Sequence, residues 1–382
     1  MAKKLMRCAF VLVLALALFG MTLTSAAAPS QVSAIACVGG IDNTVSASSW
    51  GLFSHASPMR AVSSDYSSMR LYAGGIPFGV KFMTEGVIVI GFADVKTDKG
   101  KICPATDAGL KQNDIILKIN GETVSDAAFL SDITEKCAGN PISVTYSRNG
   151  KQATAELRPA YCTEDGKYKT GMYVKDSGAG IGTVTYIVPE TLSFGGLGHG
   201  ICDGETGKLI PMQRGSVVGV TINGVVKGLS GAPGEVRGYF SSGKTGTLLK
   251  NTECGVFGAF ASLPETLTGE PIPVGTRNEL KAGEAYILST LDGTTPVKYK
   301  IEISYIRIDS TSNKCFTVKV TDSALINKTG GIIQGMSGSP IIQNGKLVGA
   351  VTHVLINDPT TGYGIFIENM LNAANIPMAK AS

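Results

Sequence analysis

The residues best placed to do chemistry lie near the C-terminal end, in Gly335-Met336-Ser337-Gly338-Ser339-Pro340. A glycine two residues before the serine lets the backbone turn so that the N–H groups of Gly335 and Ser337 point at one spot. A pair of donors aimed that way stabilises the oxyanion that forms when a serine attacks a carbonyl. Gly338 keeps the approach to Ser337 clear of side chains. The apolar run that follows is broken at Asn344-Gly345, a turn that sends the next strand back along the first. Gly228-Leu229-Ser230-Gly231-Ala232-Pro233 repeats the short pattern, but Gly234-Glu235-Val236-Arg237 follows it instead of an apolar hairpin. Ser230 therefore reads as part of a surface loop.

A serine nucleophile needs a base, and the chain has three histidines: His55, His199 and His353. His199 sits in the Gly-dense segment Phe194-Gly195-Gly196-Leu197-Gly198-His199-Gly200, which can expose an imidazole at the mouth of a barrel. It is the expected general base. His353 lies on the strand leaving the hairpin and reads as structural, while His55 falls in a stretch without apolar pattern. An acid must orient the base and stabilise its charged form. Asp203, Asp309 and Asp322 are the candidates, with Asp203 awkwardly close in sequence to His199.

The rest of the chain must position these groups. It has 382 residues, 43% of them hydrophobic, enough for sizeable cores. A net charge of +4 over that length, with no basic run beyond the N-terminus, argues against a nucleic-acid partner. Glycine-rich composition with few charges favours a turn-rich β protein and excludes a coiled coil. Residues 1–28 place three positive charges before an apolar run and then Ser25-Ala26-Ala27-Ala28, the pattern of a signal peptide or N-terminal membrane anchor. The work is accordingly expected outside the cytoplasm. Cys37, Cys103, Cys137, Cys162, Cys202, Cys254 and Cys315 remain after that segment, too widely spaced for a zinc site and odd in number. They read mostly as buried thiols, and no metal or other cofactor is expected.

Residues 29–67 read as a tether. Val80–Phe82 and Gly86–Gly91 read as strands, followed by a helical turn at Pro104, a polar corner, the strand Ile115–Ile119 and an Asn120-Gly121 turn. A helix to Lys136 and a hairpin around Asn149-Gly150 complete the set. In this order the segment 68–160 resembles a PDZ domain, a small β-sheet with short helices, most specifically from Pro104 to Gly121. PDZ domains take an extended peptide or C-terminus as an added strand. Gly74, Gly75, Ile76, Phe78, Gly79 and Val80 form the expected peptide-binding loop, although Pro77 removes one donor there.

Beyond Arg158 short β-branched runs punctuated by glycine continue to a helix near residues 368–372. The serine loop resembles that of chymotrypsin-like peptidases, so 161–382 is expected to be a β-barrel serine peptidase domain and the whole chain mainly β. The blocks Gly171–Ser177, Gly180–Thr185, Gly198–Asp203, Gly335–Pro340, Thr352–Val354, Asn357–Thr360 and Gly362–Ile365 resemble the stage IV sporulation protein B peptidases. That resemblance covers the chain in order: export segment, PDZ domain, peptidase. It implies a catalytic set of His199, Asp322 and Ser337, with Gly335 and Ser337 as oxyanion hole. It also implies an endopeptidase of endospore formation, secreted or anchored between the forespore and mother-cell membranes. Its substrate would be the regulator of an intramembrane protease, a protein like stage IV sporulation protein FA, whose cleavage activates a late sigma factor. Self-processing would fall within 29–67. The competing reading is a catalytically silent, PDZ-based scaffold of the cell envelope.

Overall fold

The structure, a computed structural model, describes residues 31–33, 66–203, 207–267 and 269–375. The expected export segment, most of the lead-in, Cys37 and His55 lie outside the described residues. No helix among the described residues is long and apolar enough to cross a membrane.

Two strands of sixteen residues each, Pro77–Phe92 and Met172–Ile187, organise the molecule. They pair antiparallel along most of their length. Their inner halves belong to a six-stranded ring. From Met172–Ile187 the ladder passes to Ser193–Gly196, Gly255–Phe260, Glu235–Thr252, Met212–Val226 and back to Pro77–Phe92. Their outer halves carry the PDZ domain. Val87 and Ile88 pair with Ile115 and Ile116, and the sheet continues through Ile142–Arg148 to Lys151–Leu157.

The two strands expected around residues 80 and 88 are thus one. Gly86, at φ +74°, bends it where a side chain would overlap the carbonyl of Ile116. A glycine in an apolar run reads as a break, but here it is the joint between two sheets. For the same reason the expected boundary at 68 does not separate two bodies. Arg70–Ala73 pairs with Tyr186 and Ile187, and Phe78–Met83 pair within the ring. The PDZ domain is an excursion between two neighbouring barrel strands.

Within that excursion local chemistry sets the elements. Asp126 caps the helix Ala127–Lys136 by accepting the Phe129 N–H at 2.8 Å. Asn149 and Gly150, both at positive φ, make the two-residue hairpin turn. The buried Asp114 carboxylate fixes the polar corner through Arg148 and the Lys111 N–H.

A second, closed barrel runs through Gly283–Ser289, Val297–Ser304, Phe316–Val320, Asp358–Phe366, Lys346–Leu355 and Pro340–Gln343. Alternation builds it: Tyr299, Ile301 and Ile303 face inward while Lys300 and Glu302 face out. The helix Ile367–Ala374 closes the chain. Its core, around Ile301, Phe316, Val351 and Ile365, spreads to the first barrel through Ile181, Tyr186 and Val220. That shared apolar contact holds the barrels together, and the hydrophobic effect is its source. Cys103, Cys137, Cys162, Cys254 and Cys315 are free thiols, and Cys162 and Cys315 are buried.

Candidate active site and peptide groove

The serine loop leads into Pro340–Gln343 and is clamped from two sides. Gly338 N–H donates to the Val351 carbonyl at 2.7 Å and Val351 N–H returns to Ser339. From the first barrel, Thr183 Oγ1 donates to the Gly335 carbonyl at 2.7 Å and Thr185 Oγ1 to the Gly338 carbonyl at 2.8 Å. Thr183 N–H also reaches the Ser337 carbonyl. With three carbonyls drawn to one strand, the backbone turns its donors the other way. Among the described residues the N–H groups of Gly335 and Ser337 donate to nothing. That is the arrangement a developing oxyanion requires.

Glycine is obligatory at 338 for a reason other than substrate access. At φ +94°, a Cβ there would lie 2.1 Å from the Thr183 carbonyl oxygen and 2.5 Å from the Leu197 nitrogen. This close approach brings Leu197-Gly198-His199 against the serine loop. Gly198 likewise packs where a Cβ would press on Thr352.

His199 is buried, and its Nδ1 lies 2.9 Å from the Gly200 carbonyl. A carbonyl only accepts, so Nδ1 carries the proton and Nε2 keeps its lone pair. Burial holds the imidazole below its ordinary pKa, opposed by the Gly200 bond. Ser337 Oγ donates to the Thr352 carbonyl at 2.7 Å. The residue after Thr352 is His353, whose ring centroid stands 5.0 Å from that of His199. The structure therefore brings Ser337, His199 and His353 to one place. The sequence analysis read His353 as structural and gave Thr183, Thr185 and Thr352 no role at the site. The i, i+2 spacing of Thr183 and Thr185, which puts both on one face of a strand, was the available signal.

Asp322, the acid expected for the triad, is engaged with backbone N–H groups in this structure. Its Oδ1 accepts the N–H groups of Ala324 and Leu325, capping the helix Ser323–Thr329, and its Oδ2 accepts that of Lys300. Both oxygens are committed to backbone, and no hydrogen bond joins the carboxylate to His199. An Asp directly before a short helix is an N-cap by local physics, whatever lies fifteen residues on. Asp309 is exposed, and Asp203 lines a cleft between the PDZ hairpin and the first barrel.

Residues 166–371 match the family description "SpoIVB peptidase S55", and residues 76–158 match a PDZ domain. The chain belongs to the SpoIVB peptidase S55 family. It is a serine peptidase with a PDZ domain, mainly β. A Neisseria meningitidis protein described as "Putative zinc metalloprotease NMA0084" is 31% identical over 88 residues, which cover 23% of this chain and 17% of that protein's length. Among solved structures, the active form of the Rv3671c protease from Mycobacterium tuberculosis is 14% identical, with a TM-score of 0.27. That match covers 53% of this chain and 78% of the other. A PDZ domain from Listeria monocytogenes is 23% identical at a TM-score of 0.20, over 24% of this chain and 87% of that one.

In this S55 peptidase the expected peptide-binding loop cannot take a peptide. Gly74 and Gly75 donate their N–H groups to Thr185 and Val184, and Ile76, Phe78 and Val80 are buried. Gly79 and Val80 have strand neighbours on both sides. No edge is left for an added strand. The free edge lies in the partner strand. Among the described residues Met172–Lys175 pair with Ile88–Phe92 on one side only, and the helix Ala127–Lys136 faces the other. Between them runs a groove of about 300 Å³, lined by Leu130, Thr134, Gly171, Met172, Tyr173 and Val174. Asp176 ties its end to the helix by accepting the Ala127 N–H at 3.0 Å. The sequence hid this because Gly171 lies beyond the contiguous PDZ pattern, so only the return of the chain supplies the edge.

Proposed function

We propose that this S55 peptidase is an exported serine endopeptidase of endospore formation. It works in the space between forespore and mother-cell membranes, secreted or anchored through residues 1–28. There it cleaves the membrane-bound regulator of an intramembrane protease, a protein like stage IV sporulation protein FA, so that a late sigma factor is activated. It also processes itself within 29–67. The family and the order of export-like segment, PDZ domain and peptidase support this reading. The observation that carries the chemistry is the serine loop itself: Ser337 beside a pair of unengaged N–H groups, with the Leu197-Gly198 segment that leads into His199 packed against it.

Ser337 is the nucleophile and His199 the base. For attack, Oγ leaves the Thr352 carbonyl and turns to Nε2 of His199, which takes the proton and later returns it to the leaving amine. The oxyanion is held by Gly335 and Ser337 N–H. An extended substrate segment adds to the free edge of Met172–Val174, as PDZ grooves accept peptides.

A serine-reactive phosphonate tests this. Labelling is expected in the intact chain and absent in Ser337→Ala and His199→Ala. Because burial lowers the His199 pKa, the neutral base persists below the ordinary pKa of 6.5. The acid limb of the labelling rate is therefore expected below that value. Labelling that survives in Ser337→Ala would leave only the silent scaffold.

A further inference from the structure

Two of the free thiols meet at one turn, one from each barrel. Cys254 lies in the tight turn between Glu235–Thr252 and Gly255–Phe260 of the first barrel. Cys315 directly precedes Phe316–Val320 of the second. Cys254 Sγ stands 3.8 Å from the Thr311 carbonyl. Cys315 Sγ stands 3.1 Å from the Ser312 carbonyl and 3.8 Å from that of Ser310. Three consecutive carbonyls are therefore shared between the two sulfurs. Asn313 draws the same turns together, its Nδ2 donating to the Glu253 carbonyl at 2.9 Å. Cys315 is buried in the apolar core that the barrels share, and the half-buried Cys254 packs against that core.

Each thiol also stands behind one half of the active site. Asn251, just before the Cys254 turn, accepts the Ile201 N–H and donates to the Ile201 carbonyl, two residues after His199. On the other side the Asn313 carbonyl accepts Thr352 Oγ1 at 2.8 Å, and the Thr352 carbonyl holds the Ser337 hydroxyl.

We propose that Cys254 and Cys315 form a disulfide that locks the barrel carrying His199 to the barrel carrying Ser337. The oxidant is a disulfide from outside the chain, small or protein-borne, of the kind an oxidising compartment supplies. Cys254 is the more exposed and reacts first. Its thiolate attacks the external disulfide, which forms a mixed disulfide and releases one thiol. The Cys315 thiolate then attacks the Cys254 sulfur and releases the second. Two cysteine thiols are oxidised and one external disulfide is reduced to two thiols. Burial, with Cys315 and Glu253 beside it, pushes the Cys254 thiol up to about 11, so exchange near neutrality is slow without a catalyst. The bond does not depend on the roles given to Ser337 and His199; only its effect on turnover does.

In the test the full chain is reduced, freed of reductant and incubated with glutathione disulfide at about pH 9, where more thiolate is present. It is then alkylated and cut with trypsin without reduction. Cys254 leaves in the peptide Asn251–Arg277 and Cys315 in Cys315–Lys319. Mass spectrometry is expected to find these two joined, two hydrogens lighter than their sum, and separate after reduction. Urea unfolding is followed by circular dichroism and by hydrolysis of a small peptide ester. Both midpoints should lie about 1 M higher in the oxidised chain than in the reduced one. Cys254→Ala should fold as the reduced chain does, with neither a joined peptide nor the oxidant-dependent shift. Glutathione left on either thiol, or pairing of either with another cysteine, would overturn the bond. A joined peptide with unmoved midpoints would overturn the lock. If Ser337→Ala hydrolyses the ester as fast as the intact chain, the site reading fails, while the joined peptide and the circular dichroism midpoint still decide the bond.

Discussion

The chain writes Gly-x-Ser-Gly-x-Pro twice, and the two loops could hardly be used more differently. Around Ser230, Leu229 is 62% exposed, the hydroxyl donates to the Asn357 carbonyl, and Gly228 N–H is already spent on Thr329. Around Ser337, Met336 is fully buried, two threonines hold the carbonyls, and the donors are left unspent. The motif supplies only the ability to turn. What makes one copy chemical is the strand Met172–Ile187 packed behind it and the histidine segment packed beside it. The other copy has a job too. The chain leaving it holds the entrance of the active loop, with Gln334 N–H donating to Gly234 and Val236 N–H to Gln334.

Removing each hydroxyl in turn should separate the two loops most widely. Loss of a triad nucleophile costs on the order of 10⁶ in kcat, whereas a hydroxyl on an exposed loop costs almost nothing. Ser337→Ala should therefore abolish turnover of the ester substrate, and Ser230→Ala should leave it within twofold. Comparable losses in both would mean that the loops are not distinct in role.

The following glycines should separate almost as widely. Gly231 has φ +80° and open space around its Cβ position, so Gly231→Ala meets only the backbone penalty, about 1 kcal/mol. Gly338→Ala adds overlap with backbone atoms of Thr183 and Leu197, which cannot rotate away. Its expected cost is on the order of 3 kcal/mol or more. Urea denaturation midpoints of the two variants give the comparison directly.

Which parts could be read in advance follows from the range of the forces involved. The hairpin at Asn149-Gly150, the helix Ala127–Lys136 and the turn at Asn344-Gly345 are local, and residue types alone specify them. Ser337 and His199 were legible because glycine-dense segments announce backbone that must approach something. The peptide edge at Met172–Val174 was not, since it exists only after the chain has left the PDZ pattern and come back. The closeness of His353 to His199 was hidden for a related reason. Nothing in its own segment indicates that a second imidazole, 154 residues upstream, will stack on it. The continuity of Pro77–Phe92 across Gly86 failed on a rule that is usually sound, that glycine interrupts a strand.

A smaller effect belongs to the support behind the active loop. Thr183→Val keeps the shape of the side chain but leaves the Gly335 carbonyl without its donor. An unsatisfied buried carbonyl costs about 1–3 kcal/mol, and here the cost falls on the orientation of the oxyanion donors. We expect kcat to fall about tenfold with KM little changed. Among the described residues no threonine hydroxyl donates to the Gly228 or Gly231 carbonyl, so the same substitution has no target behind Ser230. A kcat in Thr183→Val equal to that of the intact chain would show that the carbonyl clamp is not what aims the donors.

The smallest effect expected is also the one that bears most on the catalytic set. Burial alone would raise the Asp322 pKa, but the N–H groups of Lys300, Leu325 and Ala324 outweigh it and hold the carboxyl below its ordinary value. A lowered carboxyl pKa adds stability above the unfolded value near 4, and that stability is lost as pH falls through the folded value. At neutral pH the group is therefore a fully charged cap. Asparagine keeps the cap through its one acceptor oxygen but its NH2 cannot accept the Lys300 N–H, while alanine loses both, each at about 1 kcal/mol. Asp322→Asn should then retain turnover at a loss of about 1 kcal/mol, and Asp322→Ala should lose about 2 kcal/mol in urea denaturation while keeping kcat per folded molecule. A triad acid would behave in the opposite way. Asparagine in that place favours the wrong histidine tautomer and costs about 10⁴ in kcat with the fold intact. The two readings thus differ most in the variant that disturbs the structure least, and a 10⁴-fold loss in Asp322→Asn would return the carboxylate to the base.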